Sequence, residues 1–309
     1  MALWDSWIAM GLISAAAWGM SCVIDVCFVG EGIYRKPIDG PAVAGLFCIV
    51  PLCIFDRPET ALELDSRVIA AALLAGICYL LHIHFYFKAL FALNDASNAE
   101  IFNTLSVLFV PVLAFLLLGE VLEPLHYFAI GLSIFGILIL MRLQKSTLTW
   151  QVAVLLGTSV LFVSLVMVIQ AWVLQFVGYE TAVWLFSSAA FFSVICLLGF
   201  RSHLRPRILY LCKRFGLLLV SVQLLELCAV LGSQRATDVG PSVSLVALLE
   251  CSLPVFVMAF SWMLLGASRY WRVSRVDGVR IALASQTDAY PAKLVSLVLI
   301  VAAIGILQL

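Results

Sequence analysis

Long apolar runs, separated by short polar breaks, dominate the chain. A helix that crosses the hydrocarbon core of a bilayer needs about 20 apolar residues, somewhat fewer in a tightly packed bundle. Ten runs meet this requirement, and they predict ten membrane-spanning helices. The runs are Trp7 to Val29, Pro41 to Phe55, Arg67 to Leu90, Ser97 to Leu118, Leu125 to Met141, Trp150 to Phe176, Thr181 to Phe200, Ile208 to Gly232, Pro241 to Leu265 and Ala292 to Leu307.

Two of these runs need comment. The first is long enough to span a bilayer, so we expect a retained helix rather than a cleaved signal peptide. The second has only about 15 residues and contains Pro51, which leaves a nine-helix count open. The breaks are short and carry the Gly, Pro and charged residues typical of turns, as in Asp39-Gly40-Pro41. The chain is therefore predicted to form one membrane unit without soluble domains.

Composition excludes whole classes of protein. Hydrophobic residues make up 64% of the chain and charged residues only 12%, whereas a soluble domain has about 25% charged residues. The formal net charge of zero gives no polyelectrolyte attraction, so we expect no nucleic-acid partner. The nine cysteines lie in or beside apolar runs without a CxxC pair, which is typical of small apolar residues. We predict no metal and no cofactor.

The distribution of Lys and Arg predicts an orientation. Loops after the odd-numbered helices hold 15 of these residues and the opposite side holds 3. Because positive loops stay in the cytoplasm, both termini are expected outside it if the helix count is even. We expect a multi-pass protein of the cell (cytoplasmic) membrane. The basic stretch 266–291 is either a plain solvated loop or an amphipathic helix lying on an anionic leaflet.

The chain resembles itself after a shift of 147 residues. The shift aligns Phe109-Val110 with Phe256-Val257 and Leu117-Leu118-Gly119 with Leu264-Leu265-Gly266 without a gap. It also places Tyr79 on Glu226 and Asn103 on Glu250, a match of polar positions that hydrophobicity alone does not require. Each half then holds five helices, and an odd number inverts the second half in the membrane. Inverted repeats are typical of secondary transporters, which bind their substrate between the halves.

A family resemblance adds to this repeat. Trp18-Gly19, Tyr86 to Leu90, Ala96 to Ala99 and Leu117 to Glu120 resemble the EamA-type half-repeat of the drug/metabolite transporter superfamily, and Leu249 to Phe256 is similar to the other half. The resemblance implies ten helices in two inverted five-helix repeats around a central cavity, residues 1–145 and 146–309, and transport of small metabolites or drugs. Three features differ from the family: Ala267 replaces the acid that Glu120 supplies in the first half, an Arg-rich insertion precedes the last helix, and the predicted termini lie outside.

Four acids fall within predicted membrane helices. Asp25, Glu100, Glu226 and Glu250 are costly there, so they tend to face a cavity or the bundle interior. Leucines flank Glu226 and Glu250, and an apolar environment disfavours the charged form, so either could take up a proton during transport. The alternative for each acid is a structural hydrogen bond to a neighbouring helix.

Uncharged polar and aromatic residues supply further candidates for the wall of a cavity. Tyr79, His82 and Tyr86 are spaced by three and four residues, which places them on one helix face. Such a wall suits a planar or amino-bearing solute. Asn103, Gln170 and Trp172 are of the kind that orients a substrate, but packing between helices explains any of these residues equally well. Small pairs, such as Ala72 with Gly76, permit close helix contact.

The favoured function is a secondary transporter that moves a small organic solute by alternating access, with or without proton coupling. The alternative is a membrane receptor or scaffold that has lost transport. An enzyme is not expected, because the chain lacks the HExxH, GxSxG and Walker motifs. The expected partners are a small-molecule solute and the lipid bilayer, and association with a second copy of the chain is compatible with the sequence.

Overall fold

The chain folds into helices. The computed structural model describes residues 3–55, 64–93, 99, 102–143, 149–270 and 290–306, and within these ranges it contains helices and no strands. After a short 3-10 helix, Leu3–Asp5, the helices are α1 (Trp7–Gly30), α2 (Asp39–Phe47), α3 (Ile49–Ile54), α4 (Ser66–Leu93), α5 (Ser106–Leu118), α6 (Pro124–Leu143), α7 (Trp150–Leu174), α8 (Tyr179–Phe200), α9 (Leu204–Val239), α10 (Val243–Glu250), α11 (Leu253–Tyr270) and α12 (Tyr290–Ile306).

Helix length and hydropathy identify a membrane protein. Among the described residues, six helical segments are long and apolar enough to cross a bilayer: α1, α4, α7, α8, α9 and the stretch Val243–Gly266 that α10 and α11 share. Shorter apolar helices cover Asp39–Ile54, Ser106–Leu118 and Pro124–Gly136. The prediction of an all-helical membrane protein is confirmed, and the count of ten spans stays a prediction. Most of the basic stretch 266–291 lies outside the described residues.

Four predicted helices differ from the observed ones, and one of them, the fourth, is interrupted at residues 104 and 105 just before α5. The second predicted span is divided into α2 and α3 at Cys48. This break places Pro51 in the first turn of α3, where the missing N–H of proline is tolerated. Helix α9 is longer than predicted and bends at Phe215, whose φ of −124° and ψ of 17° are not helical; Gly216 follows directly, and glycine is a common cause of such bends. The ninth predicted span is interrupted between α10 and α11.

The helices pack in a regular pattern. Helix α1 packs along α9, and α4 packs along α7. Helix α1 also contacts α10 and α11, as α7 contacts α5. Helix α6 pairs with α12, and α2 and α3 pack on α8. The largest apolar core lies among α1, α2, α4, α8 and α9. Of these helices, α1, α4, α8 and α9 also line the central cavity described below.

Glu120 joins the end of α5 to the start of α10. Helix α5 ends at Gly119, whose φ of +68° is the left-handed conformation typical of a helix end. The next residue places its carboxylate beside α10: Glu120 Oε1 accepts hydrogen bonds from Ser242 Oγ at 2.8 Å and from the Ser244 N–H at 3.4 Å. Ser242 Oγ in turn accepts from the Leu245 N–H at 3.2 Å and caps α10.

We expect Glu120→Ala to destabilise the protein by about 1 kcal/mol, the typical cost of losing a helix cap. The change removes the acceptor that orients the capping hydroxyl of Ser242. Thermal unfolding of the purified protein in detergent would measure the effect, with Glu31→Ala as the control because Glu31 is exposed. Equal unfolding temperatures for the two variants would contradict this role of Glu120.

Candidate functional site

A central cavity lies between helices of the first and second halves of the chain. Its volume is about 1070 Å³ including the space on its open side. Eight of the nine candidate residues line it: Asp25, Tyr79, His82, Tyr86, Asn103, Gln170, Glu226 and Glu250. Trp172 does not line it, and Glu100 lies outside the described residues. The structure thus brings together residues that are separated by up to 225 positions in the sequence.

Helix α4 supplies one aromatic wall of the cavity. Tyr79, His82 and Tyr86 share the face of α4 that their spacing predicts, and all three side chains are buried. His82 Nδ1 lies 2.9 Å from Ser159 Oγ and 3.0 Å from the Ser159 carbonyl oxygen on α7. His82 therefore ties α4 to α7 as well as lining the cavity. His84, two residues further on, faces away from the cavity lining, as the helical period requires.

Two buried acids, Asp25 and Glu226, face the cavity from α1 and α9. Asp25 is 3% exposed and Glu226 is 6% exposed. Glu226 Oε1 accepts a hydrogen bond from Ser21 Oγ at 3.2 Å, which joins α9 to α1. The second oxygen, Glu226 Oε2, is buried and has no hydrogen-bond partner among the described residues. Glu226 thus makes the structural contact anticipated for it and has a second, buried oxygen without a hydrogen-bond partner among the described residues.

Two helix breaks meet at the cavity. The helical turn that holds Asn103 is separated from α5 by a break at residues 104 and 105, and Glu250 ends α10 just before a break at residues 251 and 252. Cys251 Sγ lies 3.7 Å from the Thr104 carbonyl oxygen, so the breaks are in contact. Ser14 Oγ of α1 is 3.5 Å from Glu250 Oε1. The breaks therefore bring Asn103 and Glu250 to the same region of the cavity.

Gln170 and Trp172 lie on opposite faces of α7. Gln170 is 2% exposed and lines the cavity, and neither atom of its amide group has a hydrogen-bond partner among the described residues. Two residues along an α-helix turn the side chain by about 200°. Trp172 therefore points elsewhere: its ring lies 4.7 Å from that of Phe176, and it packs against the apolar cluster around Val173 and Leu185. The structure corrects the expectation that Trp172 belongs to the site.

Several lining residues were not anticipated from the sequence. They are Trp18 and Cys22 on α1, Phe186 on α8, and Ser233, Gln234 and Thr237 on α9. The residues on α9 follow Glu226 at spacings of seven, eight and eleven, which is the helical repeat of one face. Extending that face from Glu226 would have found them. No comparable sequence signal marks Phe186.

The charges of the cavity are of one sign. Its lining includes three carboxylic acids, Asp25, Glu226 and Glu250, and no lysine or arginine among the described residues. The described residues also contain no group of three His, Cys, Asp or Glu side chains suited to a metal ion. The cavity therefore combines acids, amides and hydroxyls with aromatic side chains, a set that can hold a small organic molecule through hydrogen bonds, charge and stacking.

Comparison with known proteins supports the fold over nearly the whole chain. No family model matches the chain, and no curated protein sequence matches it. Twenty-eight chains from solved structures are similar to it. One of them, the crystal structure of a protein, has a TM-score of 0.58 and 17% sequence identity, over 97% of this chain and 96% of that chain. At this level of identity the similarity shows a shared fold.

Proposed function

We propose that this protein is a secondary transporter of the EamA-like drug/metabolite class, which moves a small organic solute across the cell membrane. The observation that carries the proposal is the central cavity, where polar and acidic side chains from both halves of the chain meet inside apolar helices. Polar groups are expensive in a membrane, and they mark solute or ion pathways in known transporters.

The pattern of helix contacts supports an inverted repeat. In the repeat, α1 of the first half corresponds to α7 of the second, and α4 corresponds to α9. The pair α1 and α9 therefore corresponds to the pair α7 and α4, and in both pairs the two helices pack against each other. Helix α5 corresponds to α10 and α11 together, so the contact of α7 with α5 matches the contact of α1 with α10 and α11. Helices α6 and α12 correspond to each other, and they pack together. This is the pattern expected of two five-helix repeats related by a two-fold axis.

The helix breaks support the same repeat. The shift of 147 residues seen in the sequence carries Thr104 onto Cys251 and Leu105 onto Ser252, the positions at which the two helices are interrupted. Interrupted helices near the midplane are a recurrent feature of transporter binding sites. In this proposal the chain has ten spans, the two halves rock about the cavity, and both termini lie outside the cytoplasm.

Uptake into liposomes tests the transport function. The purified protein, reconstituted in liposomes, would be incubated with a mixed pool of labelled metabolites, with and without an imposed pH gradient. We expect uptake of at least one small organic solute above that of protein-free liposomes. Absence of any uptake by correctly inserted protein would contradict the proposal and favour the receptor or scaffold alternative.

Substitution of two acids of the cavity tests proton coupling. Glu226→Gln and Glu250→Gln keep the size of each side chain and remove the group that can exchange a proton. If uptake is driven by protons, we expect at least a tenfold lower gradient-driven rate in one or both variants. Glu180→Gln is the matched control, because Glu180 is exposed at the start of α8. Unchanged uptake in both cavity variants would exclude proton coupling through Glu226 and Glu250.

A further inference from the structure

We propose that the central cavity selects organic cations, specifically small molecules that carry an ammonium group beside an aromatic or apolar body. This inference deepens the proposed function, because it names the class of solute that the transporter would carry. It concerns binding, however, and binding is measurable without transport. Three independent features of the cavity support it: its charges, its unpartnered buried polar atoms and its aromatic walls.

The charges of the cavity favour a positive ligand. Buried carboxylates are usually paired with a basic side chain, because an unpaired buried charge is costly. The acids Glu226 and Glu250 share a cavity whose described lining provides no lysine or arginine. The arginines Arg207 and Arg235 form ion pairs elsewhere, Arg207 with Asp39 and Arg235 with Asp5 and Asp238. A ligand with an ammonium group would stabilise the ionised form of these acids, and a carboxylate ligand would not.

Buried polar atoms provide the second feature. Glu226 Oε2 and both amide atoms of Gln170 are buried at the cavity without a hydrogen-bond partner among the described residues. Buried polar atoms in native proteins are nearly always hydrogen-bonded, and leaving one unpaired costs about 1–3 kcal/mol. Two of these atoms, Glu226 Oε2 and Gln170 Oε1, are acceptors. An ammonium group, which has only donors, is complementary to such acceptors.

The aromatic walls provide the third feature. Trp18, Tyr79, Tyr86, Phe87 and Phe186 all line the cavity. The rings of Tyr79 and Phe186 lie 5.4 Å apart at 57°, and those of Tyr86 and Phe87 lie 5.6 Å apart at 85°. Aromatic rings have electron-rich faces. The faces attract cations, and the same rings can stack on a planar apolar body.

Three ligands of equal shape and different charge test the inference. Phenethylammonium, 2-phenylethanol and 3-phenylpropionate share a phenyl ring on a two-carbon chain and carry charges of about +1, 0 and −1 at pH 7. Binding to the purified protein in detergent would be measured by titration calorimetry. We expect the cation to bind at least tenfold more tightly than the alcohol, and the carboxylate to bind most weakly. Equal affinity for all three, tighter binding of the carboxylate, or no binding of the cation would overturn the inference.

Variants then connect the selectivity to the cavity. Glu226→Gln is expected to weaken binding of phenethylammonium at least tenfold and to leave binding of 2-phenylethanol nearly unchanged, whereas Glu180→Gln should change neither. Glu250→Gln provides an independent test if Glu226→Gln does not fold. A cation affinity that neither cavity variant lowers would overturn the inference. Binding of the cation by a protein that takes up no solute into liposomes would leave this inference intact and contradict the proposed transport function.

Discussion

Replacing Gly76 with alanine will destabilise the protein, although alanine is the better helix former by about 1 kcal/mol. Gly76 lies at a close contact between α4 and α8. A Cβ atom at this position would be 2.5 Å from the Phe186 carbonyl oxygen, 2.6 Å from Ala189 Cβ and 3.0 Å from the Ala190 backbone nitrogen. Two of these atoms belong to the backbone, which cannot move aside as a flexible side chain can. The helices must separate, and overpacking of this kind costs about 1–3 kcal/mol.

The matched control for this change is Gly157→Ala. Gly157 lies within α7, and a Cβ atom there would meet nothing within 4 Å. The same substitution should therefore raise stability slightly, because only the helix propensity changes. Thermal unfolding in detergent would measure both proteins. We expect opposite signs, a lower unfolding temperature for Gly76→Ala and an equal or higher one for Gly157→Ala. Similar shifts for the two variants would show that α4 and α8 are not in close contact at Gly76.

The sequence predicted the helices well because their signal is local. Apolar runs of about bilayer length mark membrane helices directly, and the small pair Ala72 and Gly76 indicated where two helices approach closely. Helix interruptions were harder to predict. Cys251 and Ser252 end α10 within a run that is apolar on both sides, and only the contact with Thr104 across the bundle shows why this position matters.

Part of the cavity lining was also predictable from local sequence signals. Acids and polar helix faces are rare within apolar membrane segments, so the acids and the polar face of α4 indicated residues of the cavity. Which side of a helix faces the cavity depends on its neighbours, and this explains both the misplacement of Trp172 and the omission of Phe186. Apolar residues are uniformly frequent on these helices, so their period gives little information about orientation.

The ion pair of Asp39 and Arg207 lies beyond the reach of sequence patterns, since the two residues are 168 positions apart. From the sequence, Asp39 was predicted to lie in a turn and Arg207 to be a charged residue of a loop. In the structure Asp39 is fully buried at the first residue of α2. Its Oδ2 atom accepts a hydrogen bond from Arg207 Nη2 at 2.5 Å and from the N–H groups of Arg35 at 2.8 Å and Lys36 at 3.0 Å. One carboxylate thus joins the loop after α1 and the starts of α2 and α9.

We expect Asp39→Asn to lower the free energy of unfolding by about 3 kcal/mol. Breaking a buried ion pair costs about 3–5 kcal/mol, because the remaining charge loses its partner. We expect the lower end of this energy range, since the Arg207 side chain is 21% exposed and retains part of its hydration. Thermal and denaturant unfolding in detergent would measure the change. The control is Asp5→Asn, which removes the carboxylate from a 3.5 Å pair with Arg235 at a side chain that is 56% exposed; exposed pairs contribute about 0–1 kcal/mol.

A double-mutant cycle separates the ion pair from the hydrogen bonds to the loop. Arg207→Gln alone leaves the Asp39 carboxylate buried with only its two backbone donors, and the double variant of Asp39→Asn with Arg207→Gln leaves no unpaired charge. We expect the double variant to be more stable than the sum of the single losses predicts, by about 1 kcal/mol or more. Strict additivity would show that Asp39 acts through the N–H groups of Arg35 and Lys36 alone. The short contact between Arg207 and Asp39 would then contribute nothing to holding α9 against α2.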